Sequence, residues 1–173
     1  GAQWAAQATS PIDGVRALAG LSADDLWAVG PNGLVLRKQP GGDWSALTSP
    51  TTRNLHGVAV GADQTVWIVG DGGTLRSWSA AAGWESHDWP VPVDLYGVAV
   101  DGDRVAACGK GATLLVRETA AGDFTQTVAG TVVDLRGVAF GGGGDLWLVG
   151  AQGKILRIPA GGSATTLASG AGG

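Results

Sequence analysis

Short apolar runs alternate with turns rich in Gly, Asp and Pro along the whole chain. Between Leu55 and Trp89 the runs cover residues 55–60, 65–70, 74–79 and 84–89. Runs of this length, bounded by turn residues, are typical of β-strands. Helical periodicity does not extend over a useful length, and the glycine density would be costly inside a helix. The pattern therefore predicts an all-β chain.

The strand pattern repeats along the chain. A Trp-x-Val-Gly segment begins at Trp27, Trp67 and Trp147, and its third copy begins at Ala106, so the intervals are 40, 39 and 41 residues. Two other columns keep this period: Val15, Leu55, Leu95, Leu135; and Trp4, Trp44, Trp84, Phe124, Ala164. A fixed period of about 20–50 residues indicates a repeat architecture. Four short strands per unit predict a propeller blade, a small antiparallel sheet covered on both faces by its neighbours.

We predict one β-propeller domain over residues 1–168 and a flexible Gly-rich tail at 169–173. The blades are expected at about 13–50, 53–90, 93–130 and 133–168. Residues 3–9, which carry Trp4, are predicted to close the ring as the fourth strand of the last blade, because the competing segment 163–168 lacks a tryptophan. Two alternatives stay open: the chain is part of a larger ring, or two copies complete one ring.

Composition fits sheets that are buried on both faces. The chain has 31 Gly and 8 Trp, and 15% of its residues are charged, against a typical value of about 25%. A net charge of −4 with scattered basic residues argues against nucleic-acid binding, which needs clustered Lys and Arg. No apolar run approaches the roughly 20 residues that span a bilayer. The absence of Met and the start at Gly1 favour an exported protein.

The repeat resembles the bacterial Trp-Val-Gly type of propeller, which is related to sialidase-like and Ycf48-like photosystem II assembly factor propellers. The matching residues are the Leu-x-Gly-Val-Ala strand, the Trp-x-Val-Gly strand, the turn at 70–75 and the Trp that opens the fourth strand. The resemblance extends from Trp4 to about Ala168 and implies a general scaffold. The Asp-box of sialidase-like repeats, expected near 39–44 and 79–84, is largely missing.

The second residue of the innermost strand varies between units, which marks a position that structure does not dictate. These residues are Arg16, His56, Tyr96 and Arg136. We expect their side chains at one height near a mouth of the central channel, where they would suit an anionic or carboxylate ligand. The alternative is that water solvates them, or that Asp94 and Asp134 pair with them.

Two further sets of residues are weaker candidates. The turn between the second and third strands carries a predicted rim: Asn32, Asp71, Lys110 and Gln152. Ordinary turn chemistry explains these residues equally well. Trp78 and Trp89 lie outside the main tryptophan columns and are expected either to form a sugar or peptide platform or to pack between blades.

Catalytic and metal sites are not predicted. Glu85 and Glu118 lie in outer segments of different blades and so do not form the carboxylate pair of a glycosidase. His56 and His87 are too few for a metal site, and Cys108 stands alone, as a core residue. No cofactor is expected.

The leading hypothesis is an extracytoplasmic, non-enzymatic protein-interaction or structural module, either alone or as a subunit of a larger assembly, whose partner is another protein or a second copy. One alternative is a lectin-like binder of a glycan or a small anion at the channel mouth. A further alternative is a degenerate sialidase-like hydrolase.

Overall fold

The computed structural model describes residues 14–167. This part of the chain forms four separate antiparallel sheets, each with four strands in chain order. Its helical segments are single 3₁₀ turns of three residues. The predicted all-β architecture of four four-stranded blades is confirmed.

Each blade starts at its innermost strand and ends at its outermost one. Blade 1 contains β1 Ala17–Ser22, β2 Asp25–Val29, β3 Val35–Lys38 and β4 Trp44–Ala46. Blade 2 contains β5 Leu55–Val60, β6 Val66–Gly70, β7 Leu75–Ser79 and β8 Gly83–Ser86. Blade 3 contains β9 Leu95–Asp101, β10 Arg104–Gly109, β11 Leu114–Arg117 and β12 Thr125–Gln126. Blade 4 contains β13 Leu135–Phe140, β14 Leu146–Gly150, β15 Ile155–Ile158 and β16 Thr165–Leu167.

The fourth strand of blade 2 ends earlier than the sequence predicts, at Ser86. Beyond it, the Asp88 carboxylate accepts a hydrogen bond from the Leu75 backbone N–H at 3.0 Å. The Asp88 side chain thus takes the Leu75 N–H, while the His87 N–H still donates to the Leu75 carbonyl oxygen at 2.9 Å. Pro90 follows, and proline has no N–H with which to continue a ladder.

The outer edge of blade 4 is occupied by the C-terminal segment. Strand β16 pairs antiparallel with β15, with Thr166 opposite Leu156. The position for which residues 3–9 were expected is therefore filled by the competing segment, which pairs through its backbone without needing a tryptophan. Residues 3–9 themselves, and the predicted tail at 169–173, lie outside the described residues.

The innermost strands approach one another closely where glycine removes the side chain. A Cβ atom added to Gly97 would lie 3.1 Å from the Cα of Gly137, and one added to Gly57 would lie 3.0 Å from the Tyr96 carbonyl oxygen. At these distances a Cβ atom would push the neighbouring blade away by a few tenths of an ångström. The Gly in the Leu-x-Gly-Val-Ala strand thus lets adjacent blades converge toward the axis.

Three apolar layers hold neighbouring blades together. Between blades 1 and 2, Trp27 and Val29 pack with Leu55 and Ile68. The next layers repeat the arrangement: Trp67 and Val69 with Val105 and Ala107, then Ala106 and Cys108 with Leu146 and Leu148. Each layer excludes water from both partner sheets, which is the main source of stability in such repeats.

Residues outside the repeat columns also pack in these layers. Trp78 lies with its ring centre 4.9 Å from that of Trp27, and Trp89 packs against the layer between blades 2 and 3. The interpretation of both as packing residues is confirmed. Cys108 is buried as expected, and burial raises the pKa of its thiol to about 12.

The described blades form an open arc. Strand β1 packs on β5, β5 on β9 and β9 on β13, whereas β13 and β1 do not pack on each other in this way. Two apolar faces are left at the ends. On blade 4, Trp147 is 38% exposed and Val149 is 48% exposed; on blade 1, Val15 and Leu18 are 49% and 59% exposed.

Candidate functional site

The four variable residues of the innermost strands lie in one continuous row. Arg16 Nη1 is 3.0 Å from His56 Nδ1. The His56 ring meets the Tyr96 ring edge to face, with centres 5.5 Å apart. Arg136 completes the row, with its Cζ 4.3 Å from the centre of the Tyr96 ring. The structure therefore brings together the residues that the sequence places at one height.

The contacts of His56 define its tautomer. Arginine only donates hydrogen bonds, so Nδ1 accepts from Arg16. Nε2 then carries the proton and donates to Asp71 Oδ1 at 2.5 Å. Because both ring nitrogens are engaged, His56 is held in position and has no free lone pair with which to take a proton from a bound molecule.

Asp71 connects the row to the adjacent turn. Its second carboxylate oxygen accepts a hydrogen bond from Asn54 Nδ2 at 2.8 Å. Partial burial raises the pKa of Asp71, but the hydrogen bonds from His56 and Asn54 outweigh that effect, and the net pKa is lowered from its usual value. Asp71 is therefore ionised at neutral pH and supplies the negative charge beside the row.

The two ends of the row carry exposed guanidinium groups. Arg136 pairs with Asp134 at 3.0 Å while its side chain stays about half exposed, so the predicted pairing with Asp134 is present. Asp94 has a different role, since its carboxylate accepts a hydrogen bond from the Gly72 backbone N–H at 2.9 Å. Guanidinium groups that remain exposed can bind the carboxylates of a partner in a bidentate manner.

The predicted rim is not a single column, because the alignment of two of its members is shifted by one residue. Asp71 and Lys110 begin their 3₁₀ turns, whereas Asn32 and Gln152 stand second in theirs. The second position has a positive φ, 54° at Asn32 and 59° at Gln152. Glycine fills this position in blades 2 and 3, as Gly72 and Gly111. Asn32 and Gln152 are therefore explained by turn geometry, and their counterparts at the first position are Pro31 and Ala151.

Sequence reasoning missed the side chains that join each turn to the next blade. Asn54, Asp94 and Asp134 each stand directly before an innermost strand and accept a hydrogen bond from the turn of the preceding blade, at Asn32, Gly72 and Gly111. We call these three residues the latch. Their regular spacing was the available signal. The corresponding residue of blade 1 is Gly14, which has no side chain to offer.

A second polar cluster, also missed from the sequence, lines a cleft between blades 2 and 3. It includes Thr65, Ser77, His87 and Arg117. Ser77 Oγ lies 2.8 Å from His87 Nε2. Within residues 14–167, no group of three or more His, Cys, Asp or Glu side chains is placed to hold a metal ion. In the same part of the chain, no helix has the length and apolar character needed to cross a membrane.

Comparison with known proteins finds relatives by structure alone, since no protein-family profile and no curated sequence matches. A catalytically inactive virginiamycin B lyase from Staphylococcus aureus, solved with quinupristin, superposes with a TM-score of 0.80 at 19% identity. This alignment covers 94% of the chain and 59% of the lyase.

Two other structures are similar to the chain. Ycf48 bound to a D1 peptide matches with a TM-score of 0.71 at 17% identity, over 95% of this chain and 56% of Ycf48. The extracellular domain of a one-component system from B. thetaiotaomicron matches with a TM-score of 0.74 at 18% identity, over 95% of this chain and 23% of that protein. The chain thus spans less than two thirds of the length of each.

These similarities are limited to the fold. The expected similarity to Ycf48-like propellers is confirmed for the fold. No sequence match accompanies the Trp-Val-Gly repeat resemblance. The matched proteins include an enzyme and a peptide-binding protein, so a common fold carries different activities. The structure and the comparisons together show that residues 14–167 form four blades of the β-propeller fold.

Proposed function

We propose that the chain is a non-enzymatic protein-interaction module that binds through the outer face of blade 4. The observation that carries this proposal is the exposure of Trp147, at 38%, while its counterparts Trp27 and Trp67 are 1% and 2% exposed. The face continues through Val149 and Ile155, which are also exposed. Contiguous apolar surface of this kind is a common mark of a protein interface.

We propose that a second copy of this chain covers this surface. The second copy would make the contact through the face of its blade 1 that points away from blade 2. In two of the three internal layers a Trp-x-Val face packs against the next blade, and in the third Ala106 and Cys108 take these positions.

On the face of blade 1 that points away from blade 2, the region of the first strand is exposed at Val15 and Leu18, where Leu55 and Val58 of blade 2 are buried. Farther out on the same face Ala28 and Leu36 are buried, so the proposed contact is confined to the region of the first strand. Two copies, each covering both ends of the other, would form a closed ring with two-fold symmetry.

This contact would depend on apolar packing. Gly14 stands at the position of the latch in blade 1 and has no side chain, so this position offers no carboxylate or amide to the turn of blade 4. Association should therefore change little with salt, unlike a contact based on ion pairs. An extracytoplasmic location remains part of the proposal, supported by the extracellular domain among the similar structures.

The test is the solution mass of the chain and of Trp147→Glu, measured by light scattering across a concentration series. A dimer at twice 17.2 kDa that becomes a monomer in Trp147→Glu supports the proposal. Val132→Glu is the matched control, because Val132 is 89% exposed and lies outside this face. A wild-type chain that stays monomeric at every concentration would overturn the second copy as occupant.

A second candidate function is recognition of an acidic segment of a partner by the row Arg16, His56, Tyr96 and Arg136. The exposed guanidinium groups at its ends favour carboxylates, and the similar Ycf48 structure contains a bound peptide. His56 has both ring nitrogens engaged, which favours binding over proton transfer. A glycan or small anion at the same place is the alternative ligand.

This second function is tested with labelled acidic and neutral peptides and with Arg16→Ala combined with Arg136→Ala. The double variant should weaken binding of the acidic peptide about tenfold or more, since two charge-assisted contacts are lost. Lys38→Ala is the control, because Lys38 pairs with Asp24 at the far end of blade 1. Equal binding of acidic and neutral peptides would contradict this function without affecting the dimer.

A further inference from the structure

The cleft between blades 2 and 3 is a cavity of about 190 Å³ that the proposed interface does not use. Its walls combine the Trp67 ring, the hydroxyls of Thr65 and Ser77, the Arg117 guanidinium and the carboxylates of Glu85 and Asp103. Pockets for drug-sized ligands typically measure roughly 300–1,000 Å³. The cleft would therefore take a ligand with few heavy atoms.

The cleft exists because blade 2 departs from its own repeat. In blade 1, Trp27 pairs across the strands with Arg37, and Arg37 Nε donates to Asp25 at 3.1 Å. In blade 4, Trp147 pairs with Arg157, and Arg157 Nε donates to Asp145 at 2.7 Å.

Blade 2 has Ser77 opposite Trp67, and Thr65 stands where the other two blades have Asp25 and Asp145. Two short hydroxyl residues thus replace a long ion pair. This replacement leaves space over Trp67.

The guanidinium beside Trp67 comes instead from Arg117, on blade 3. Its Cζ lies 4.6 Å from the centre of the Trp67 ring. One of its terminal nitrogens donates to the Asp103 carbonyl oxygen at 3.4 Å. Its Nε is buried and has no hydrogen-bond partner, whereas the Nε atoms of Arg37, Arg104 and Arg157 each donate to a carboxylate.

The missing partner points to a carboxylate ligand. Burial lowers the pKa of Arg117, although the charges of Asp103 and Asp63 act in the opposite direction, and neither carboxylate gives Nε a hydrogen bond. A bidentate carboxylate uses Nε together with a terminal nitrogen. A small rotation of the guanidinium toward the cleft would give Nε the acceptor that the protein itself does not supply.

The remaining charges of the cleft are negative and call for a cationic group on the same ligand. Asp63, Glu85 and Asp103 all line the cavity. Hydrogen bonds from Thr65 lower the pKa of Asp63 despite the opposing effect of burial. Burial lowers the pKa of His87, so His87 is neutral at pH 7 and does not offset these carboxylates.

We propose that the cleft between blades 2 and 3 binds a small zwitterion of the free amino acid class. The ligand carboxylate pairs with Arg117, its ammonium group faces Glu85 and Asp103, and Thr65 and Ser77 supply hydroxyl contacts. The site is separate from the face of blade 4 and from the row on the innermost strands.

The test is calorimetric titration of the whole chain with a panel of free amino acids, with acetate and ethylammonium as the two halves of the zwitterion. At least one amino acid should bind about tenfold or more tightly than either half, because two charged contacts act together. Arg117→Met should abolish saturable binding, and Arg117→Lys should restore only part of it, because lysine lacks the planar fork.

Arg37→Met is the matched control, since it removes an arginine stacked on Trp27 at 5.0 Å but leaves the cleft intact. Circular dichroism checks that each variant folds. A further variant, Glu85→Gln, changes an exposed side chain outside the layer between the blades. It should weaken amino-acid binding because the contact with the ammonium group loses its charge. Binding of acetate as tight as that of any amino acid, or no saturable binding by the panel, would overturn the proposal. Neither result alters the mass of the chain, so the site and the proposed dimer are tested separately.

Discussion

Trp67 and Trp147 occupy the same position in the repeat and have opposite surroundings. Trp67 lies between two blades, 2% exposed, with the His87 ring centre 4.9 Å away and the Phe124 ring centre 5.7 Å away. Trp147 lies on the outer face of blade 4, where no further blade of the described chain covers it, and is 38% exposed. The repeat therefore sets the side chain at each position, but neighbours decide whether that side chain stabilises the fold or is left available to a partner.

The largest expected effect comes from truncating the two tryptophans. Trp67→Ala should reduce the free energy of unfolding by about 3–5 kcal/mol, the usual range for a large buried aromatic. Trp147→Ala should reduce the unfolding free energy of the monomer by about 1–2 kcal/mol, because much of its ring already faces water. Urea titration of both variants measures the difference.

Protein concentration separates the two roles. The cost of Trp67→Ala should not depend on concentration, whereas the cost of Trp147→Ala should grow with concentration if a second copy covers that face. Equal costs for both variants at low concentration would show that the outer face is as well packed as the inner one.

A glycine pair gives the next largest contrast. Gly97→Ala would place a Cβ 3.1 Å from both the Gly137 Cα and the Cys108 sulfur. This overpacking should cost about 1–3 kcal/mol of unfolding free energy. Gly137→Ala would meet only the tip of Val149, at 3.0 Å, and Val149 is free to shift at the exposed face. Its cost should therefore be clearly smaller, and a larger one would mean that blade 4 is covered on its outer side.

The latch provides a third, smaller contrast. Asp94→Ala removes the acceptor for the Gly72 N–H, bonded at 2.9 Å, and should lower the unfolding free energy by about 1–2 kcal/mol. Asp24→Ala is the control, because its salt bridge with Lys38 lies on the surface of blade 1 and exposed pairs contribute about 0–1 kcal/mol. Thermal unfolding of both variants gives the comparison, and an Asp94→Ala cost no greater than the control would show that the latch does not hold the blades together.

Much of the fold could be predicted from the sequence because its signals are local. Strand runs, turn residues and the 40-residue period are visible in consecutive residues, and a common register places Arg16, His56, Tyr96 and Arg136 at one height. The predicted alignment of the rim residues was wrong by one position. The second residue of each turn has a positive φ, which both Gly and Asn adopt, so residue type alone does not show that Gly72 is equivalent to Asn32.

Two features could not be predicted, since both depend on relations between blades. The cleft over Trp67 requires that Ser77 and Thr65 be compared with Arg37 and Asp25, and that Arg117 approach from the next blade. The open arc depends on how blades 1 and 4 lie relative to each other, and the local signals left a closed ring, part of a larger ring and a ring of two copies as alternatives.

The smallest expected effect concerns acid stability, where Asp71 in the row is compared with Asp145 on blade 4. The pKa of Asp71 is lowered in the folded chain, so its ionised form contributes stability above the pKa of the unfolded state. That contribution is lost as the pH falls through the folded pKa. The advantage of the wild type over Asp71→Asn should therefore be constant near neutral pH and shrink as the pH falls below about 5, as measured by urea unfolding at each pH.

Asp145→Asn is the counterpart on the outer blade. A hydrogen bond from Arg157 lowers the pKa of Asp145. The ionised Asp145 carboxylate therefore also stabilises the folded chain, and this stabilisation is also lost as the pH falls. The Asp145 side chain is less exposed than that of Asp71, but its partner Arg157 is 46% exposed whereas His56 is 21% exposed. Salt should therefore screen the Asp145 pair more than the network of Asp71 with His56 and Asn54. We expect added salt to remove the pH dependence at Asp145 first. Equal salt sensitivity at both sites would mean that the row is as open to solvent as the outer blade, and that its arginines rather than the partly buried Asp71 carboxylate determine what it can bind.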